Sequence, residues 1–256
     1  MLDLKYKRDS ESHGNLNNYS IDLTELKKIK YKIYDIAKIL IPSLQQDNPR
    51  DSNLKDQAIV EMDAENNKKA KFNLERKFGG YRNFKMLDQI FKTLFISVEK
   101  GHIDAKVENA DKVEASRIII DLCSIIQKQL YHKINYKNYD KTNNNYKLEW
   151  EKRLLAYFQL NSSSIPKTIA SINLERVKAS LGGIDSSLGA NLMAIVLTLD
   201  VQILENMGAK QPSIIDIVGN LLHHRGHGNK QVYLKLEELD IIISDAYNLF
   251  RFLERI

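Results

Sequence analysis

SIIDIVGNLLHHRGHGNKQVYLKLEELDIIISDAYNLFRFLERI, residues Ser213 to Ile256, holds the clearest pattern in this chain. Pro212-Ser213 is a helix start signal, with Ser213 as N-cap and Asp216 in the capping-box position, where its carboxylate also suits the positive end of the helix dipole. Ile214, Val218, Leu221 and Leu222 then recur at helical spacing. At about 100° per residue Arg225 returns to the middle of that apolar face, while His223 points opposite and His224 to one flank. Gly226 and Gly228 end the helix and leave His227 on a short, permissive turn. A last helix is predicted from about Lys235, burying Leu239, Ile242, Ile243, Ala246, Leu249, Phe250, Leu253 and Ile256. Two apolar helices therefore flank one cationic turn that carries three of the six histidines.

This layout resembles the HEPN superfamily, and within it the C-terminal domain of bacterial abortive-infection proteins. In those all-helical domains an apolar helix runs into an arginine-containing turn ending in His-Gly, followed by a polar loop and a long apolar helix. The matching residues are Arg225, His227 and Gly228, then Asn229-Lys230, then the helix from Lys235. Only Gly226 separates Arg225 from His227, a shorter spacing than that family's. The resemblance covers about the last 70 residues and implies a C-terminal four- or five-helix bundle with metal-independent RNA cleavage, usually across a dimer interface. Such chemistry needs a base for the ribose 2′-hydroxyl, an acid for the leaving oxygen and a cation on the developing phosphorane charge. Arg225 suits the charge, His227 the proton transfer, and His224 is the second candidate for it. The plainer alternative is a basic helix C-terminus whose cations complement the dipole. A metal site is disfavoured, because adjacent His223 and His224 diverge on a helix and no cysteine or acidic partner sits at ligand spacing; no cofactor is expected.

The remainder of the chain points to an all-α fold. Four prolines and eleven glycines in 256 residues leave long uninterrupted spans, and 43% hydrophobic against 28% charged residues is ordinary globular composition. Residues 1–20 lack the apolar core of a secretory signal. The most apolar run, Leu188 to Leu199, is too short to span a bilayer and is closed by Asp200. Cys123 has no partner for an internal disulfide. A cytoplasmic protein is the expectation. Residues 1–150 carry 27 Lys+Arg and 22 Asp+Glu, whereas 151–256 carry 11 of each. The surplus permits nucleic-acid contact without demanding it.

Along the chain, an amphipathic helix is predicted over Ile21–Ile41, closed by Pro42, then a loop over Gln45–Asn53 and a charged stretch to Ala70. In Lys71–Phe95 cations and aromatics interleave, which suits single-stranded nucleic acid: bases stack on rings while Arg76, Lys77, Arg82 and Lys85 take phosphates beside Tyr81. Lys230 joins them on the C-terminal turn. The competing interpretation is a helical hairpin broken at Gly79-Gly80 with its phenylalanines inside. A long helix is predicted from Ile103, with Ile118–Ile126 crossing the middle of the bundle. The Tyr/Asn/Lys-rich stretch Tyr131–Lys147 divides an N-terminal helical region, 1–147, from the C-terminal bundle, 148–256. There, helices are predicted over Glu149–Leu160, from Thr168 to Leu181, and from a cap at Asp185 or Ser186 through Ile203 to Gly208, with Asp200 a possible counter-charge for Arg225 across the core. Two function classes follow: an RNA-cleaving, HEPN-like defence protein, or a non-catalytic helical nucleic-acid-binding or scaffold subunit, either of them a homodimer or part of an assembly.

Overall fold

The computed structural model describes residues 64–108, 110–136, 145–158, 160, 165–225 and 231–256. The helix expected over 21–41, the loop after it and the turn 226–230, with His227 and Lys230, lie outside the described residues. The chain divides into two compact units, Met1–Lys71 and Phe72–Ile256. In the first, the described residues 64–71 are helical, and Lys69 pairs with Glu65 one turn away at 2.8 Å. Residues on both sides of 147 belong to the second unit.

That unit is an all-α bundle. Its described elements are the helical residues 72–77 (α1), Tyr81–Met86 (α2), Gln89–Glu108 (α3), Ser116–His132 (α4), Tyr146–Tyr157 (α5), Lys167–Ala170 (α6), Leu174–Leu181 (α7), Leu188–Thr198 (α8), Val201–Gly208 (α9), Ile214–Arg225 (α10) and Leu236–Arg255 (α11). Two short strands, Val113–Glu114 (β1) and Tyr233–Leu234 (β2), pair antiparallel, Val113 opposite Leu234.

α4 crosses the middle and packs on α3, α8, α10 and α11. Ile119, Leu122, Ile125, Ile126 and Leu130 are fully buried along it, each contributing roughly 1.5–3 kcal/mol of hydrophobic stabilisation. Its polar residues are inside as well and are bonded. Asp121 accepts from Ser97 Oγ at 2.5 Å and from Arg117 Nε at 3.1 Å. Buried Asn191 of α8 donates to the Gln127 carbonyl (3.0 Å) and to Asp185 (2.7 Å), and accepts from Ser180 Oγ (2.7 Å). Such satisfied networks fix one register of helix on helix, because any other leaves a buried donor or acceptor unpaired.

Several boundaries differ from expectation. The helix expected from Ile103 starts earlier, at Gln89, and stops at Glu108; β1 intervenes before α4. Thr168–Leu181 is two helices, the second capped by Asn173 Oδ1 accepting from Glu175 N at 2.8 Å. Ser187, not Asp185 or Ser186, caps α8. The spine predicted from Leu188 through Ile203 breaks at Leu199-Asp200. Arg153 of α5 stabilises that break, since its Nη1 donates to the carbonyls of Val196 and Leu199, both at 3.2 Å, at the buried end of α8. Asp200 is consequently exposed at the N-cap of α9, outside the core.

Candidate functional site

α10 is held at both ends. At its start Ser213 Oγ accepts from Asp216 N (3.3 Å) while Asp216 Oδ2 accepts from Ser213 N (3.0 Å), a reciprocal cap. Its last turn carries His223, His224 and Arg225, cations set against the negative end of the dipole. After residue 230 the chain is pinned: Ala115 N donates to the Val232 carbonyl and Val232 N to Ser116 Oγ, both at 2.8 Å. The β1–β2 pair thus ties the approach to α11 to the start of α4.

The three side chains take the positions that helical spacing predicts. His223 is exposed; His224 and Arg225 are half-buried. The two imidazoles lie edge to face, ring centroids 5.2 Å apart. Burial lowers the pKa of His224, helped by the like charge of His223, while the carboxylate of Glu238 on α11 opposes the change. A neutral imidazole can accept a proton at neutral pH. Arg225 also reaches toward α4. Its charge tempers the Cys123 thiol, which burial nonetheless pushes up to about 12, and Cys123 Sγ donates to the Leu221 carbonyl at 3.8 Å. That thiol is packing and not a nucleophile.

The basic and aromatic stretch behaves mostly as a hairpin. Gly79 and Gly80 turn with φ of 76° and 123°, a backbone that side-chain-bearing residues rarely adopt. Phe84, Phe91 and Phe95 are buried, and Phe95 meets Phe78, Tyr247 and Phe250 edge-on at about 5 Å between centroids. Lys77 turns inward, to Glu99 at 2.6 Å and over the Tyr247 ring. Arg76, Tyr81, Arg82 and Lys85 remain exposed, with Arg76 over the exposed Phe72 ring and Lys85 over Tyr81. The structure does not bring this patch to the Arg225 turn. α1 and α2 lie by the C-terminal half of α11, where Arg251 donates to the Lys77 carbonyl and borders a cavity with Asn83 and Met86, whereas it is Glu238, near its start, whose charge acts on His224. At about 1.5 Å per residue the two places are about 20 Å apart along α11.

Sequence reasoning passed over one cluster altogether. His102 of α3 is buried and hydrogen-bonded through Nε2 to Asp240 of α11, with Lys106 Nζ 3.6 Å from the same oxygen. No local pattern could reveal it, since its members lie 138 residues apart. Among the described residues no group of three or more His, Cys, Asp or Glu side chains is placed to hold a metal ion, and no helix is long and apolar enough to cross a membrane. No family model, curated protein or solved structure matches the chain.

Proposed function

We propose that this chain is a HEPN-like, metal-independent RNA-cleaving protein of the abortive-infection kind, acting in the cytoplasm through the turn between α10 and α11. The observation that supports the reading most is at the end of α10: half-buried His224, its pKa lowered by burial, next in sequence to half-buried Arg225, with His227 following two residues on. In the proposed reaction the ribose 2′-oxygen attacks the adjacent phosphorus and loses its proton to an imidazole. The 5′-oxygen leaves with a proton, and Arg225 balances the charge that grows on the equatorial oxygens. His227 carries one of these proton transfers and His224 is the candidate for the other, with a second copy of the chain completing the site. Single-stranded RNA incubated with chelator and with wild type, Arg225→Ala or His227→Ala tests this. Cleavage by wild type only is the expected result; equal cleavage by all three removes the assignment.

A second reading has its own support in the exposed cation–aromatic edge of Phe72, Arg76, Tyr81, Arg82 and Lys85. There the chain is a non-catalytic helical subunit that holds a single strand by stacking and phosphate contact. RNA binding without cleavage, weakened by Tyr81→Ala, is its signature.

A further inference from the structure

The C-terminal end of α11 borders a cleft that belongs to neither patch. A cavity of about 380 Å³ lies between the α9–α10 connection and the last turns of α11, within the ~300–1,000 Å³ typical of small-molecule sites. Buried Met207, Ile214, Ile217 and Leu249 give it an apolar wall. Its charged lining is Lys210, Arg251, Arg255 and Asp245.

These charges are not spent on one another. Among the described residues Asp245, half-buried, makes no hydrogen bond or ion pair, and burial alone raises its pKa. Arg255 is exposed and, among the described residues, likewise without an acidic partner. Lys210 Nζ rests 4.4 Å over the Phe252 ring, which leaves its N–H groups available. Arg251 is fixed as part of the wall by the Lys77 carbonyl (3.1 Å) and Asn248 Oδ1 (3.2 Å). A partly desolvated carboxylate without a donor is costly, while the exposed Lys210 and Arg255 leave their charge open to an anion. One ligand answers both if it carries N–H donors at one end, an anion at the other and a flat apolar body between.

We infer that this cleft binds a nucleoside 5′-phosphate, with the N–H edge of guanine on Asp245, the ring against the apolar wall and the phosphate on Lys210 and Arg255. Guanine is the base of choice because it offers a carboxylate two adjacent N–H donors, N1–H and the exocyclic amino group. Adenine presents an acceptor in that place, which a carboxylate cannot satisfy. A neighbouring cavity of about 330 Å³ against α2 shares Arg251 and Arg255, so the nucleotide is either free or one unpaired residue of a strand that continues there. The inference does not depend on the Arg225 turn, which lies at the other end of α11.

Titration calorimetry of the full chain with GMP, AMP, guanosine and inorganic phosphate tests it. GMP is expected to bind at least about 10-fold more tightly than any of the other three. Lys210→Gln and Arg255→Gln, both at exposed positions, should each weaken GMP by about 10-fold, the scale of one charge-assisted contact, and leave guanosine unchanged. Asp245→Asn should bring GMP down to the level of AMP. GMP binding no better than phosphate, or Lys210 and Arg255 variants binding it like wild type, overturns the inference. Displacement of GMP by a single-stranded RNA with an unpaired terminal guanylate assigns the cleft to a strand, and failure to displace it assigns the cleft to the free nucleotide; either outcome supports the chemistry.

Discussion

His102 shows what one buried side chain does to the behaviour of the molecule. Burial lowers its pKa more strongly than the hydrogen bond to Asp240 raises it, and Lys106 adds to the lowering. The neutral ring therefore donates Nε2–H to the Asp240 carboxylate. In the unfolded chain the same imidazole takes a proton near its ordinary 6.5, while the folded protein resists. The unfolded state thus binds more protons below that pH, so stability is complete above it and falls with acidification. His224 has the same sign. Urea midpoints measured from about pH 7.5 down to about pH 5.5 should fall, and His102→Gln should flatten that slope. An unchanged slope in the variant would show that His102 is not the group responsible. At this scale the sequence was readable only where chemistry is local. It singled out His223, His224 and Arg225 because they are adjacent and their directions follow from helix geometry. It passed over His102, Asp245 and Arg251 because their environments are made by residues far away in the chain.

Among the helices, close approach is the deciding quantity at Gly208. A Cβ there would lie 2.0 Å from the carbonyl oxygen of Tyr157, a backbone atom with little freedom to yield, so α9 and α5 can touch only because this residue is glycine. Gly208→Ala must push the two helices apart, and overpacking of this sort costs about 1–3 kcal/mol or more. A clear drop in the thermal midpoint is expected; a midpoint within error of wild type would mean that the contact is not maintained in solution. From sequence, Gly208 read only as a stop signal. The elements themselves were largely predictable: the faces of α10 and α11 repeat at helical spacing, and α4 is apolar on most sides, as the centre of a bundle must be. Ile256, predicted on the buried side, is instead exposed beyond the end of α11. The breaks were not predictable. β1 exists because Val113 and Glu114 pair with residues after the C-terminal turn, and α8 ends where Arg153 takes its carbonyls. Neither partner leaves a mark in the local pattern.

For the whole molecule the arrangement of charge matters more than its sum. The exposed Arg76, Arg82 and Lys85 lie at one end of α11 and the Arg225 turn at the other, about 20 Å away by the rise of the helix. A single strand bound to the first patch releases counterions, with log affinity falling by about 0.7 per phosphate contact for each tenfold rise in salt. Replacing Arg76, Arg82 and Lys85 with glutamine should therefore lower the salt slope of RNA binding by about 2, measured by fluorescence anisotropy over a salt series. An unaltered slope would place the strand elsewhere on the protein. The helical class was evident from composition and periodicity, whereas the distance between the patches was not, because it depends on how α1, α2 and α10 each meet α11.

The most direct test of the proposed activity is the chemistry of the RNA ends. Single-stranded RNA treated with the full chain in chelator should yield fragments ending in a 2′,3′-cyclic phosphate, as attack by the 2′-hydroxyl requires, and both Arg225→Ala and His227→Ala should abolish them. Intact RNA after incubation with folded, RNA-binding wild type, or the same cyclic ends from both variants, would contradict the account.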